Sequence, residues 1–165
     1  MKVALGVIFC LILALFVGLR TYNGIVFDIH CGDRLKRAAD ANTIELAIEE
    51  VAAALSYAEQ EGMTEGYTSV LYRTPDEDVG FWYRNLSLSL AELKKVDDTT
   101  TQLERTNILM KLRETILDKG DTSESVTLPS GISIFPNNVA YMWFGVVGLI
   151  LCIPGTFLLV FHDDL

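Results

Sequence analysis

The sequence predicts a mainly α fold: two transmembrane helices flanking a small three-helix bundle domain, with a short β-hairpin or extended strap. Three observations carry that prediction. Val3 to Leu19 and Val139 to Phe161 are runs of 17 and 23 residues without a charge. The 165 residues carry a net charge of −9 although 50% of them are apolar, a pairing that requires the two properties to be segregated along the chain. Between the runs, apolar residues recur at spacings of three and four, the period of helices with one buried face. The expected organisation is an anchor at 1–22, a helical bundle at 23–122, a hairpin or strap at 123–138, a span at 139–161 and a polar tail at 162–165.

The first run follows Met1-Lys2, the pattern of a secretory signal. Gly18-Leu19-Arg20 and Tyr22-Asn23-Gly24 make poor cleavage sites, so an uncleaved signal anchor is expected. Ala14 and Gly18, four apart, suggest a face on which a second span could pack. Asn23-Gly24 reads as the break that ends the anchor.

In the middle region, one helix is expected over 33–60, with Ala41, Ile44, Ile48, Val51, Leu55 and Ala58 on its buried stripe. Asn42 and Glu45 have capping-box spacing and offer a later start. Gly62 ends this helix. Gly66 to Tyr72, rich in aromatic and β-branched residues, reads as a short extended segment or a loop packed on the bundle. Thr74-Pro75-Asp76-Glu77 marks a second helix start, with Thr74 as cap and Pro75 at the first position. That helix runs to about Val96 with Val79, Trp82, Leu86, Leu90, Leu93 and Val96 near one face. Thr99/Gln102 and Thr101/Glu104 are overlapping capping boxes for a third helix to about Asp118, with Leu103, Ile108, Leu109, Leu112 and Ile116 inward. Ser125 to Leu128 and Ile132 to Phe135 then alternate around Pro129-Ser130-Gly131, as a hairpin or a strap would.

The second run is long enough, at about 34 Å, to cross a hydrocarbon core. Tyr141 and Trp143 sit at its start, where amphipathic rings favour the headgroup layer. Pro154-Gly155 predicts a kink or thinned hydrogen bonding.

The charge is distributed unevenly. Residues 20–138 hold 12 basic and 20 acidic residues, a net −8. An acidic domain excludes a basic nucleic-acid binder, and three cysteines, two of them inside the uncharged runs, exclude a disulfide scaffold. Cys31 reads as an inert small residue near the membrane. Loops longer than about 60 residues translocate largely regardless of charge, so the middle is expected outside, periplasmic or extracellular, with both termini inside.

Chemistry-bearing constellations are sparse. His30-Cys31 with Asp28 and Asp33 has ligand types without zinc-site spacing, and His162 lies at the far border. The Asp76-Glu77-Asp78 triplet lacks the distal Glu of a calcium loop and reads as acids complementing a helix dipole. Asn85-Leu86-Ser87 matches a glycosylation sequon within a predicted helix. No catalytic, cofactor-binding or metal residues are assigned, and no cofactor or enzymatic activity is expected. The most informative group is aromatic: Tyr67, Tyr72, Phe81, Trp82 and Tyr83, five rings in 17 residues. They serve either as a plug closing the bundle or as a docking surface for a partner, since Trp and Tyr dominate interface hot spots.

The segments GYTSVLYRTPDEDVGFWYRNL, LMKLRETILDKG and SVTLPSGISIFPNN, entered through RAADANTIELA, resemble a set of uncharacterised bacterial membrane proteins. The likeness covers roughly residues 34–138. It implies a bacterial or phage source and an inner-membrane location, and brings no activity or site residues. The plan is also similar to helical sensor domains of chemoreceptors, which carry a large cytoplasmic output module where this chain has His162-Asp163-Asp164-Leu165.

The expected function is a non-enzymatic two-pass membrane protein that presents the acidic domain as a protein-binding or scaffold module. Its partners would be the lipid bilayer and another membrane or envelope protein, or a second copy through the spans, with no nucleic acid. The alternative is a membrane-bound ligand sensor or modulator without its own output domain.

Overall fold

A computed structural model of the chain describes residues 2–119 and 124–160. The polar tail at 162–165, with His162, lies outside the described residues, as do residues 120–123. The chain is mainly helical. Helix α1 (Lys2–Phe27) passes through a π turn (Asp28–Gly32) into α2 (Asp33–Ala39). After a short turn come α3 (Ile44–Gln60), α4 (Val79–Leu93) and α5 (Gln102–Ile116). Strands β1 (Leu117–Lys119) and β2 (Glu124–Val126) precede α6 (Asn138–Val160).

Two expected breaks moved. Asn23-Gly24 is helical, because Asn23 Nδ2 donates to Tyr141 Oη at 2.5 Å and holds that turn against α6. The rod therefore continues to Ala39, beyond the expected boundary at residue 22. The break falls instead at residues 40–43. Thr43 caps α3 by accepting from the Leu46 N–H at 3.3 Å, so the cap lies one residue after the expected Asn42. The helix expected over 33–60 is thus two helices. Within the domain α2 packs on α3 and α5, α3 on α4, and α4 on α5. Four helices rather than three surround the core, because the membrane-proximal rod supplies one of them.

The core is built from the predicted stripes. Ile44, Val51, Leu55 and Ala58 of α3, Val79, Trp82, Leu86 and Leu93 of α4, and Leu112 and Ile116 of α5 are buried. Phe27, Cys31, Leu35, Ala38 and Ala39 of the rod complete it. The π turn inserts a residue per turn and re-phases the rod, bringing Cys31 and Leu35 onto the core face. Leu103, expected inward, is exposed. Glu50 was not anticipated: it is 4% exposed and bridges to Arg34 at 3.0 Å and Arg37 at 2.5 Å, pinning α3 to α2.

Gly62 ends α3 as expected, in a left-handed conformation with Met63 N–H donating to Ala58 O at 2.7 Å. Thr101 and Glu104 form the expected capping box of α5. Thr74 does not cap α4. Residues Pro75–Glu77 form a 3-10 turn, and Asp78 caps α4 by accepting from the Phe81 N–H at 2.9 Å. The expected hairpin around Pro129-Gly131 is also absent: β1 pairs antiparallel with β2, Leu117 opposite Val126. Ile132–Ile134 is a 3-10 turn that buries Ile132 and Ile134, because Gly131, in the left-handed region, and Asn138, donating to Gly131 O at 2.9 Å, curl the chain back. Residues 127–137 are thus a strap leading to α6.

Helices α1 and α6 pack antiparallel along their length, and both are long and apolar enough to cross a membrane. Contact is made through glycines. A Cβ at Gly155 would lie 2.9 Å from Phe9 Cβ, one at Gly148 3.3 Å from Leu13 Cα, and one at Gly145 2.8 Å from the Phe16 ring. Ala14 and Gly18 are not the packing face. Nothing approaches Gly18, since both lie off the stripe of Gly6, Phe9, Cys10, Leu13 and Phe16 that meets α6.

Candidate docking cleft

The five aromatics do not form one surface. Trp82 is only 8% exposed and belongs to the core, whereas Phe81, one residue earlier, is 61% exposed. Tyr83 turns towards α3, where its hydroxyl donates to Glu59 Oε1 at 2.5 Å; this hydrogen bond raises its pKa. Tyr67 lies at the mouth of its loop under the Arg73 guanidinium, 5.0 Å from the ring centroid, and bridges to Asp78. Tyr72 stands at the tip of the same loop, exposed. Adjacent helical positions point about 100° apart, so the consecutive Phe81, Trp82 and Tyr83 had to diverge.

Phe81 and Trp82 do share a cleft of about 430 Å³ between α4 and the strap. Leu86, Ile116, Val126 and Leu128 give it an apolar floor, and Asp76, Asp78 and Asp118 stand around it. Among the described residues no Lys or Arg lines it. Trp82 Nε1 is buried and has no hydrogen-bond partner among the described residues. A buried indole N–H ordinarily finds an acceptor, so this donor is an orphan of the core beneath the cleft, whose own surface combines an apolar wall with acidic side chains. Asp78 is partly committed through its cap on α4. Asp76 and Asp118 are exposed, with no ion-pair partner among the described residues.

A second hollow, about 450 Å³ between residues 39–45 and α5, contains Arg105 and Arg113. Both are engaged. Arg113 pairs with Asp40 at 2.7 Å and with Glu124, and Arg105 donates to the carbonyls of Asp97 and Thr100. His30 stacks on the Tyr57 ring, 5.4 Å between centroids, while Cys31 beside it is buried. Among the described residues no three His, Cys, Asp or Glu side chains converge as metal ligands would. Asn85 of the sequon lies within α4.

The sequence reading pointed to Phe81 and Trp82 but missed Asp118 and the strap residues, which lie more than 30 positions later. Only the turn of the strap back across Ile116, with Thr127 N–H donating to Ile116 O at 2.7 Å, brings them to α4. No family model matches the chain, and neither a curated protein nor a solved structure matches it significantly.

Proposed function

We propose that the protein is a two-pass membrane protein in which α1 and α6 cross the bilayer and hold an acidic helical domain as a docking module. It would be an accessory subunit of a membrane complex. The observation that carries this reading is the helix pair: two long helices, each holding an uncharged run, pack on each other through glycines, yet most of their apolar side chains remain exposed. A core helix of a soluble domain buries that surface; lipid is the solvent that suits it. The domain would face the extracytoplasmic side of a bacterial inner membrane.

The docking cleft supports a partner of particular chemistry: a segment of a membrane or envelope protein carrying a Lys or Arg beside an apolar residue. The cation meets Asp76 and Asp118, and the apolar residue lies on Phe81. Truncating Trp82 would itself cost about 3–5 kcal/mol of core packing, so the informative variants are Phe81→Ala and the pair Asp76→Asn/Asp118→Asn. In a mild-detergent pull-down with mass spectrometry, the same protein should be captured by the wild type and by Leu88→Ala, an exposed residue elsewhere on α4, and lost with the cleft variants. Equal capture by all four sinks the docking assignment. Protease protection of residues 20–138 in oriented vesicles tests the topology.

One observation favours the second reading, a ligand sensor or modulator. The rod α1–α2 runs unbroken from the apolar run into the core, so a change in domain packing has a stiff path to the span. A small molecule that raised the thermal stability of the full chain would support it.

A further inference from the structure

Leu71 and Tyr72, at 83% and 74% exposed, are the most exposed large apolar side chains among the described residues. They occupy the tip of the loop between Gly66 and Thr74, and the neck of this loop is held by hydrogen bonds. Thr68 N–H donates to Glu77 O at 3.1 Å, Val79 N–H to Gly66 O at 3.0 Å, and Thr74 Oγ1 to Glu77 Oε2 at 2.5 Å. The loop is placed beside the helix pair. Thr68, Ser69 and Val70 share a groove with Phe16 and Arg20 of α1 and with Tyr141, Met142 and Gly145 of α6. Leu71 and Tyr72 share the next groove with Met142. Met142 lies about 5 Å inside the second uncharged run, and Arg20 is the first charge after the first run. Both markers put the loop at the level where the spans would leave the hydrocarbon.

We propose that Leu71 and Tyr72 insert into the headgroup–acyl boundary of the bilayer, making this loop a third membrane contact that fixes the domain's tilt on its two spans. The proposal rests on the two-pass reading. Only the side chains enter: the open loop backbone needs hydrogen-bonding groups that hydrocarbon lacks, and a Tyr ring with its hydroxyl suits the interfacial layer. The driving force is apolar burial rather than charge. Arg20 and Arg73 near the loop are balanced by Asp76 and Glu77, so the occupant is the boundary layer of any fluid bilayer and not an anionic headgroup.

The test uses the full chain in nanodiscs of phosphatidylcholine, with spin labels at Leu71→Cys and Tyr72→Cys in a Cys10→Ala/Cys152→Ala background. Cys31 is buried and stays unlabelled. Leu149→Cys on α6 reports the span. Leu103→Cys, next to the Gln102 that meets residues 39–45 at the distal end of the rod, reports water. Collision with dissolved oxygen and with a water-soluble nickel chelate gives depth. Both loop labels should lose nickel accessibility relative to 103 and gain oxygen accessibility towards 149, with no change when anionic lipid is added. Nickel accessibility at 71 and 72 equal to that at 103, with 149 lipid-immersed, overturns the loop insertion alone. Immersion that appears only with anionic lipid overturns it as well. A water-exposed label at 149 overturns the two-pass reading itself.

Discussion

Cys31 is the only thiol between the two uncharged runs, and the fold removes it from chemistry. It is fully buried, and burial, with the Asp28 carboxylate second, pushes its thiol up to about 12 from an ordinary 9.0. The folded state therefore keeps the proton that the unfolded chain releases. The stabilisation is whole below pH 9.0 and is lost as pH rises towards about 12. Between pH ~9 and ~10.5 the full chain should lose about 2 kcal/mol more than Cys31→Ala does, measured by chemical denaturation in detergent. Parallel pH slopes for the two proteins would show that the thiol is not buried. Glu50 teaches the same lesson at the other sign of visibility. Nothing in IELAIEEVAAAL separates Glu50 from Glu49, yet Glu49 is exposed and Glu50 is gripped by two arginines from the rod.

The helix pair is where sequence pattern and packing part company. Ala14 and Gly18 have the spacing of a small-residue motif, but the contact is made by Gly6, Gly145, Gly148 and Gly155. The spacing cannot say which face of a helix meets which partner; the antiparallel crossing does. Cys10 and Cys152 report that crossing, with their sulfurs 3.9 Å apart as free thiols. Mild oxidation of the full chain should produce an intrachain disulfide, seen as a faster band on a non-reducing gel. Gly155→Val, whose side chain would overlap Phe9, should abolish most of it. Persistence of the band in that variant would place the contact elsewhere. At the other elements the pattern was legible. The stripes of α3, α4 and α5 appeared in most of their members, Leu103 excepted, because a helix in a small domain must bury its apolar face whatever it packs on. The hairpin failed because alternation around Pro-Ser-Gly resembles two strands, whereas Gly131 and Asn138 close a tighter turn.

For the whole molecule, the continuous rod sets how the domain sits on its anchor. Gly24 is helical with open space around its missing Cβ, so Gly24→Ala should stabilise the chain by about 0.5–1 kcal/mol. Ile25→Pro, one position on, should cost about 3 kcal/mol or more by kinking the rod. Thermal unfolding in detergent separates them, and a stability unchanged by either would mean that the junction is already broken at Asn23-Gly24. The same rod explains why the bundle has four members and why its core includes Phe27, Leu35 and Ala38.

The sequence by itself determined the mainly α class of fold, the two uncharged runs, the acidity of the region between them, the Thr101/Glu104 capping box and the Gly62 stop. Each follows from a local rule: run length, apolar period, or a side chain that reaches its own backbone. The tertiary structure alone decided which glycines join the spans, that the anchor continues into the core, and that Trp82 is buried while Phe81 and Asp118 face one cleft. It also decided that Leu71 and Tyr72 stand at the foot of the domain beside α6. Those are relations between residues as far as 149 positions apart, and no local pattern encodes them, because they follow from how the faces of the helices meet.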